Sequence, residues 1–152
     1  MPHATATALS LALLLAPALL REARAQLAPA EAPTAERLTS DRQLSVFFGG
    51  GSAYVYPEEA ARLRAFIDSV PALANYGVEL QGHTDDIGDV DYNLRLSAAR
   101  TRAVRRWLVA LGVAEGAVEE LPLGEESPYF DNATWEGKLS NRRVDVILRP
   151  ML

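Results

Sequence analysis

Residues 82–100 read Gly82-His83-Thr84-Asp85-Asp86-Ile87-Gly88-Asp89-Val90-Asp91-Tyr92-Asn93-Leu94-Arg95-Leu96-Ser97-Ala98-Ala99-Arg100. They end a strand, cross an acidic loop and enter a long helix. At about 100° per residue with Leu96 as origin, Ala103, Trp107, Leu111 and Val104 fall on one arc, and Arg100 falls inside it at about 40°. Arg95, Arg102, Arg105 and Arg106 fall on the opposite, wet side. A guanidinium cannot be neutralised and is rarely buried without a partner. Arg100 therefore calls for an anion, and Asp85 in the preceding loop is the first candidate. Two arrangements are open. An internal ion pair would pin the loop to the helix, whereas a pair open at one end would receive a zwitterion.

Outward from this stretch, the chain of 152 residues is long enough for one domain with an ordinary core. Residues 8–20 are a short apolar run followed by Ala23-Arg24-Ala25, which reads as a cleavage signature. Thirteen helical residues span about 20 Å, short of a bilayer core of about 30 Å. Residues 1–25 are therefore expected to be a secretory signal peptide, with a mature chain from Gln26 and no transmembrane segment. Residues 26–42, rich in Ala, Pro and Glu, read as a linker. Residues 43–152 are expected to be the folded domain.

The chain has no cysteine, so neither a disulfide nor a lipid-bearing thiol anchors it. Without Arg21, Glu22 and Arg24 it carries 13 basic and 19 acidic residues, a net of −6. That balance gives no bulk attraction for nucleic acid. The helical arginines lack interleaved aromatics for base stacking and read as a solvated face.

The expected first strand is Leu44 to Phe48, stopped by Gly49-Gly50-Gly51. Pro57-Glu58-Glu59 opens a helix, with Ala60, Leu63, Phe66, Ile67 and Val70 at helical spacing and Pro71 and Gly77 as breakers. Val78, Leu80 and Gly82 alternate with polar neighbours as a half-buried strand. The second helix is expected from about Asn93 to Leu111, capped by Asp91 and ended by Gly112. Val118 to Leu123 is a third strand, a short helix lies around Trp135, and Arg143 to Arg149 closes the chain with Val144, Val146 and Leu148 on one face. The order β-α-β-α-β-(α)-β predicts an α+β two-layer sandwich, a small mixed four-stranded sheet with helices on one face. The acidic loop then sits at one rim.

The other polar groups point away from catalysis. Asp85, Asp86, Asp89 and Asp91 do not make an EF-hand: counted from Asp86, the sixth position is Asp91 rather than Gly and the twelfth is Ser97 rather than Glu. One mature histidine and no cysteine do not make a zinc site, so no metal or cofactor is expected. His83 has no recognisable nucleophile motif beside it and reads as a strand-end histidine. Gly49-Gly50-Gly51 lacks the Lys-Ser/Thr end of a P-loop and instead lets the backbone approach a helix or a ligand. In Asn141-Arg142-Arg143, alternation sends the two arginines to opposite sides, one to the rim and one to the sheet or solvent. A solvated basic edge would explain the same residues.

With these residues in hand, the chain resembles the OmpA-like C-terminal domains, the OmpA/MotB family. The resemblance rests on Gly82-His83-Thr84-Asp85, Gly88, Asn93, Leu96-Ser97, Arg100 and Asn141-Arg142-Arg143-Val144. Pro128, Asp131-Asn132, Thr134 and Glu136-Gly137 add to it, so that it covers residues 43–150. It implies non-covalent, non-catalytic peptidoglycan binding in the periplasm of a diderm bacterium, with the peptide stem as partner. It further implies that Asp85 takes the ammonium of diaminopimelate, Arg100 the carboxylate of the same centre, and that Asn93 and Arg142 add contacts. The chain departs from the family in the glycine-rich loop 49–51, where backbone contact is all that carries over, and at Thr101. A second reading is a protein-interaction module of an envelope or secretion complex. A third is a metal-assisted cell-wall hydrolase built on His83 and the aspartates.

Overall fold

A computed structural model of the chain describes residues 42–151. The expected signal peptide and nearly all of the expected linker lie outside the described residues. The elements are β1 (Arg42–Phe47), α1 (Pro57–Asp68), β2 (Tyr76–His83), α2 (Val90–Ala110), β3 (Val118–Gly124), α3 (Trp135–Asn141) and β4 (Arg143–Pro150). Short 3₁₀ turns at Leu73–Asn75 and Glu115–Ala117 lead into β2 and β3. The strands form one mixed sheet in the order β1-β4-β2-β3. β4 runs antiparallel to both β1 and β2, and β2 runs parallel to β3. This is the expected α+β sandwich.

Strand alternation puts the apolar side chains on a single face. Val46 lies opposite Val144, and Leu80 opposite Val146. These four side chains are buried with Val78 and Leu148 against Ala60, Leu63 and Ile67 of α1 and Ala103, Val104 and Leu108 of α2. Burying each such aliphatic side chain contributes about 1.5–3 kcal/mol. Gly82 lets α2 come this close: a Cβ there would stand 2.8 Å from the Ser97 carbonyl oxygen and 2.8 Å from Thr101 Cγ2.

Four expectations are corrected. β1 begins at Arg42, inside the expected linker, because its ladder with β4 extends to Leu148. The first helix already ends at Asp68, before Pro71, and Gly77 is no helix breaker but pairs with Arg149 inside β2. The second helix starts at Val90, and its cap is Asp89, whose carboxylate accepts from Tyr92 N at 2.7 Å, rather than Asp91. The buried arc of α2 is also rotated from the expected apolar arc. It takes in Asn93, Ser97, Arg100, Thr101, Ala103, Val104 and Leu108, whereas Trp107 stays 39% exposed. The polar members of that arc bond nearby groups, Ser97 to Gly124 N and Thr101 to Glu120, so polarity there marks a packed face.

Candidate functional site

The β2–α2 loop, the β1–α1 glycine loop and the start of β4 converge at one rim of the sheet. Arg100 lies deepest, 1% exposed. Nε donates to Ser52 O at 2.9 Å, Nη1 to His83 O at 2.8 Å and Nη2 to Gly49 O at 3.0 Å. The Phe48 ring lies 5.2 Å from its Cζ. Arg100 thus meets backbone carbonyl dipoles and an aromatic face, and the glycine loop supplies two of the three carbonyls. Burial lowers its pKa to about 10; the charge of Asp85 opposes that shift and the charge of Arg142 adds to it. At neutral pH it remains a cation.

The expected ion pair between Asp85 and Arg100 does not form. Asp85 Oδ2 instead accepts from Arg142 Nε at 2.6 Å. Arg142 was expected only as an additional contact, yet it is the direct partner. The physical reason is reach and supply. Three carbonyls already surround Arg100, while Arg142 enters the same rim from the start of β4. Asp85 and Arg142 are 6% and 5% exposed, so the pair lies just under the surface. Asp85 Oδ1 accepts only a long bond from Ile87 N, 3.3 Å. Arg142 commits Nε to Asp85, and its Nη1 would stand 3.3 Å from a Cβ at Gly50. The Trp135 ring lies over its guanidinium, 5.0 Å from Cζ.

Asn93 is fully buried beneath the loop. Its Nδ2 donates to Glu125 Oε2 at 2.6 Å, while its Oδ1 has no partner. That oxygen would lie 3.5 Å from a Cβ at Gly88, whose φ of +114° favours glycine. Tyr92 spans the two loops, its ring 2.9 Å from the same built Cβ and its hydroxyl 3.3 Å from one at Gly51. Lys138 of α3 pairs with Asp86 across the rim. The four expected residues therefore gather at one rim: Asp85 bonds Arg142 there, while Arg100 and Asn93 lie beneath. Tyr92, Trp135 and the Asp86–Lys138 pair were not foreseen. The Asp86–Lys138 pair and the approach of Tyr92 to Gly51 join distant parts of the chain and carry no local spacing signal.

On the opposite face of the sheet, Arg143 Nε donates to both oxygens of Asp145, at 3.2 and 3.0 Å, and Ser45 Oγ donates to Asp145 Oδ1 at 2.6 Å. β4 is an interior strand and both arginines are buried, which overturns the solvated-edge reading. The alternation of Arg142 and Arg143 holds. His83 is buried here, its Nε2 3.7 Å from Asp145 Oδ2. Burial lowers its pKa to about 4, Arg143 adds to the shift and Asp145 opposes it. The nearby serine hydroxyl is given to Asp145 rather than to His83, so the groups are not arranged as a nucleophile and its base. Among the described residues, no three His, Cys, Asp or Glu side chains are grouped to hold a metal. No helix among the described residues is long and apolar enough to cross a membrane.

Comparison with known proteins gives this geometry a lineage. The chain is 32% identical over 123 residues to the peptidoglycan-binding protein ArfA of Mycobacterium tuberculosis, matching 79% of this chain and 38% of that protein. It is 38% identical over 104 residues to outer membrane porin F of Pseudomonas aeruginosa, matching 68% of this chain and 30% of that protein. The chain therefore spans about a third of the length of these relatives. The crystal structure of the peptidoglycan-associated lipoprotein from Burkholderia pseudomallei superposes with a TM-score of 0.65 at 32% identity, covering 69% of this chain and 89% of that one. The C-terminal domain of Helicobacter pylori MotB shares the fold, with a TM-score of 0.61 at 20% identity. The OmpA family model matches residues 47–142, a span that contains the glycine loop, the acidic loop, Asn93, Arg100 and Arg142, and the chain belongs to the OmpA family.

Proposed function

We propose that the domain binds peptidoglycan reversibly in the periplasm, making and breaking no covalent bond, through the diaminopimelate of the peptide stem. The observation that carries this reading is the Asp85–Arg142 pair, 2.6 Å apart and just under the surface, with donors and acceptors still unspent. A carboxylate has about four acceptor positions and a guanidinium five donors. Oδ1 of Asp85, which holds only a long bond from Ile87 N, takes the ligand ammonium. The Nη groups of Arg142 take the ligand carboxylate in a planar fork. Arg100 spends three donors on carbonyls. Its two further N–H groups and its fixed charge reinforce the carboxylate side from below. A zwitterion is matched at both ends, whereas a lone amine or a lone acid meets one complementary group and one opposed charge.

The names of ArfA and of the peptidoglycan-associated lipoprotein agree with this ligand. Export through residues 1–25, with residues 26–41 as a linker, would bring the domain beside the wall. Sedimentation with purified sacculi tests the reading. The wild-type chain pellets with the wall, and Asp85→Ala and Arg142→Ala stay in the supernatant. Folded variants that still pellet would disprove the assignment.

A second reading, docking of an envelope protein, is favoured by one observation. Ala53, Ala60, Ala103, Trp107 and Tyr54 line a groove of about 730 Å³ between α1 and α2, flanked by Arg64 and Arg106. It fits a partner that presents apolar and acidic side chains together. Co-purification of such a partner after the wall has been digested supports this reading, and loss of the partner with the wall refutes it.

A further inference from the structure

Residues 128–135 set three exposed aromatic side chains, Tyr129, Phe130 and Trp135, beside the two arginines that begin β4. The segment is held in place. Asn141 Oδ1 accepts from Tyr129 N at 3.1 Å and Phe130 N at 3.0 Å, and its Nδ2 donates to Phe130 O at 2.8 Å and Asn132 Oδ1 at 2.9 Å. Trp135 is 60% exposed at the first position of α3, where it fills no core. Its ring lies 5.0 Å from Arg142 Cζ, and most of the residue remains in solvent. Lys138 follows at i+3 and so shares its side of the helix. The Lys138 ammonium pairs with Asp86, the neighbour of Asp85.

An exposed aromatic ring beside an ammonium and a carboxylate has the chemistry of a sugar site. A pyranose offers a C–H face to the ring, and its hydroxyl and acetamido groups hydrogen-bond the charged pair. We propose that Trp135, with Lys138 and Asp86, is a subsite for an N-acetylated amino-sugar ring of the glycan that carries the stem peptide. This inference rests on the peptidoglycan reading and extends it from the peptide to the carbohydrate.

Calorimetric titration of the full chain with two probes tests it. One probe is the stem tripeptide alanyl-γ-glutamyl-diaminopimelate. The other is the same tripeptide joined to N-acetylglucosaminyl-N-acetylmuramic acid. The disaccharide form is expected to bind about fivefold more tightly, the size of one aromatic contact. That ratio falls to about one in Trp135→Ala and persists in Trp135→Phe, an expectation set by loss or retention of the same contact. Equal affinities in the wild type, or a preference that survives Trp135→Ala, overturn the sugar subsite and leave the peptide reading intact. Failure of both probes to bind overturns the peptide reading and the subsite with it.

Discussion

Arg142 Nε lies 2.6 Å from Asp85 Oδ2, joining residues 57 positions apart at the rim of the sheet. The pairing leaves Arg100 to three backbone carbonyls and divides the two cations by task. Arg142 bonds Asp85 just under the surface, and Arg100 bonds the carbonyls of Gly49, Ser52 and His83. A pair this little exposed is costly to halve, because the remaining charge loses its partner. Asp85→Ala and Arg142→Ala are each expected to lower unfolding free energy by about 3 kcal/mol, read from urea denaturation. A double variant should cost less than the sum of the two singles, and strict additivity would show that the two groups act independently.

Arg100→Leu removes the donor to the carbonyls of Ser52 and His83, while Gly49 O keeps a long bond from Ser52 N, 3.3 Å. Each buried acceptor left without a donor costs about 1–3 kcal/mol. The expected total loss is about 3–5 kcal/mol. It should be accompanied by faster amide exchange across residues 48–52 than in β4. Uniform acceleration through the domain would show that Arg100 does not specifically hold the glycine loop.

His83 gives a pH dependence with a definite sign. Its folded pKa, about 4, lies below the ordinary 6.5 because burial opposes the charged ring. Between these values the unfolded chain binds the proton and the folded chain does not. The stability from a neutral His83 is therefore full above pH 6.5 and is lost as pH falls toward 4. Unfolding free energy should drop by about 2–3 kcal/mol from pH 7 to pH 4.5. Glu79 and Asp86, whose pKa values are also lowered, act mainly below that window. His83→Gln should flatten the slope. An unchanged slope in that variant would assign the dependence to other groups.

The leader is testable by mass spectrometry of the exported protein. Cleavage after Ala25 gives a mature N-terminus at Gln26, and retention of residues 1–25 contradicts the assignment.

Much of this architecture is legible in local sequence. The alternation of Val144, Val146 and Leu148 and the spacing of Ala60, Leu63 and Ile67 report directly on faces that touch the core. The anomaly of Arg100 is legible for the same reason, since a cation on a packed face stands out. Its partners are not, because a backbone carbonyl has no side-chain identity. Arg142 reaches Asp85 only after the sheet order β1-β4-β2-β3 has brought β4 beside β2. No local periodicity encodes that neighbourhood. Trp107 misled for a related reason: it is apolar and correctly phased, yet it lines an open groove instead of the core.

Zwitterion recognition at this rim requires a carboxylate and a guanidinium acting together. Titration of the full chain with a diaminopimelate-containing stem peptide and with the matching lysine-containing peptide tests it most directly, because lysine keeps the ammonium and lacks the second carboxylate. The diaminopimelate peptide is expected to bind at least about tenfold more tightly, a difference of about 1.4 kcal/mol, and Arg142→Gln should erase the preference. Equal affinity for the two peptides, or an undiminished preference in Arg142→Gln, would show that this rim does not read the second carboxylate.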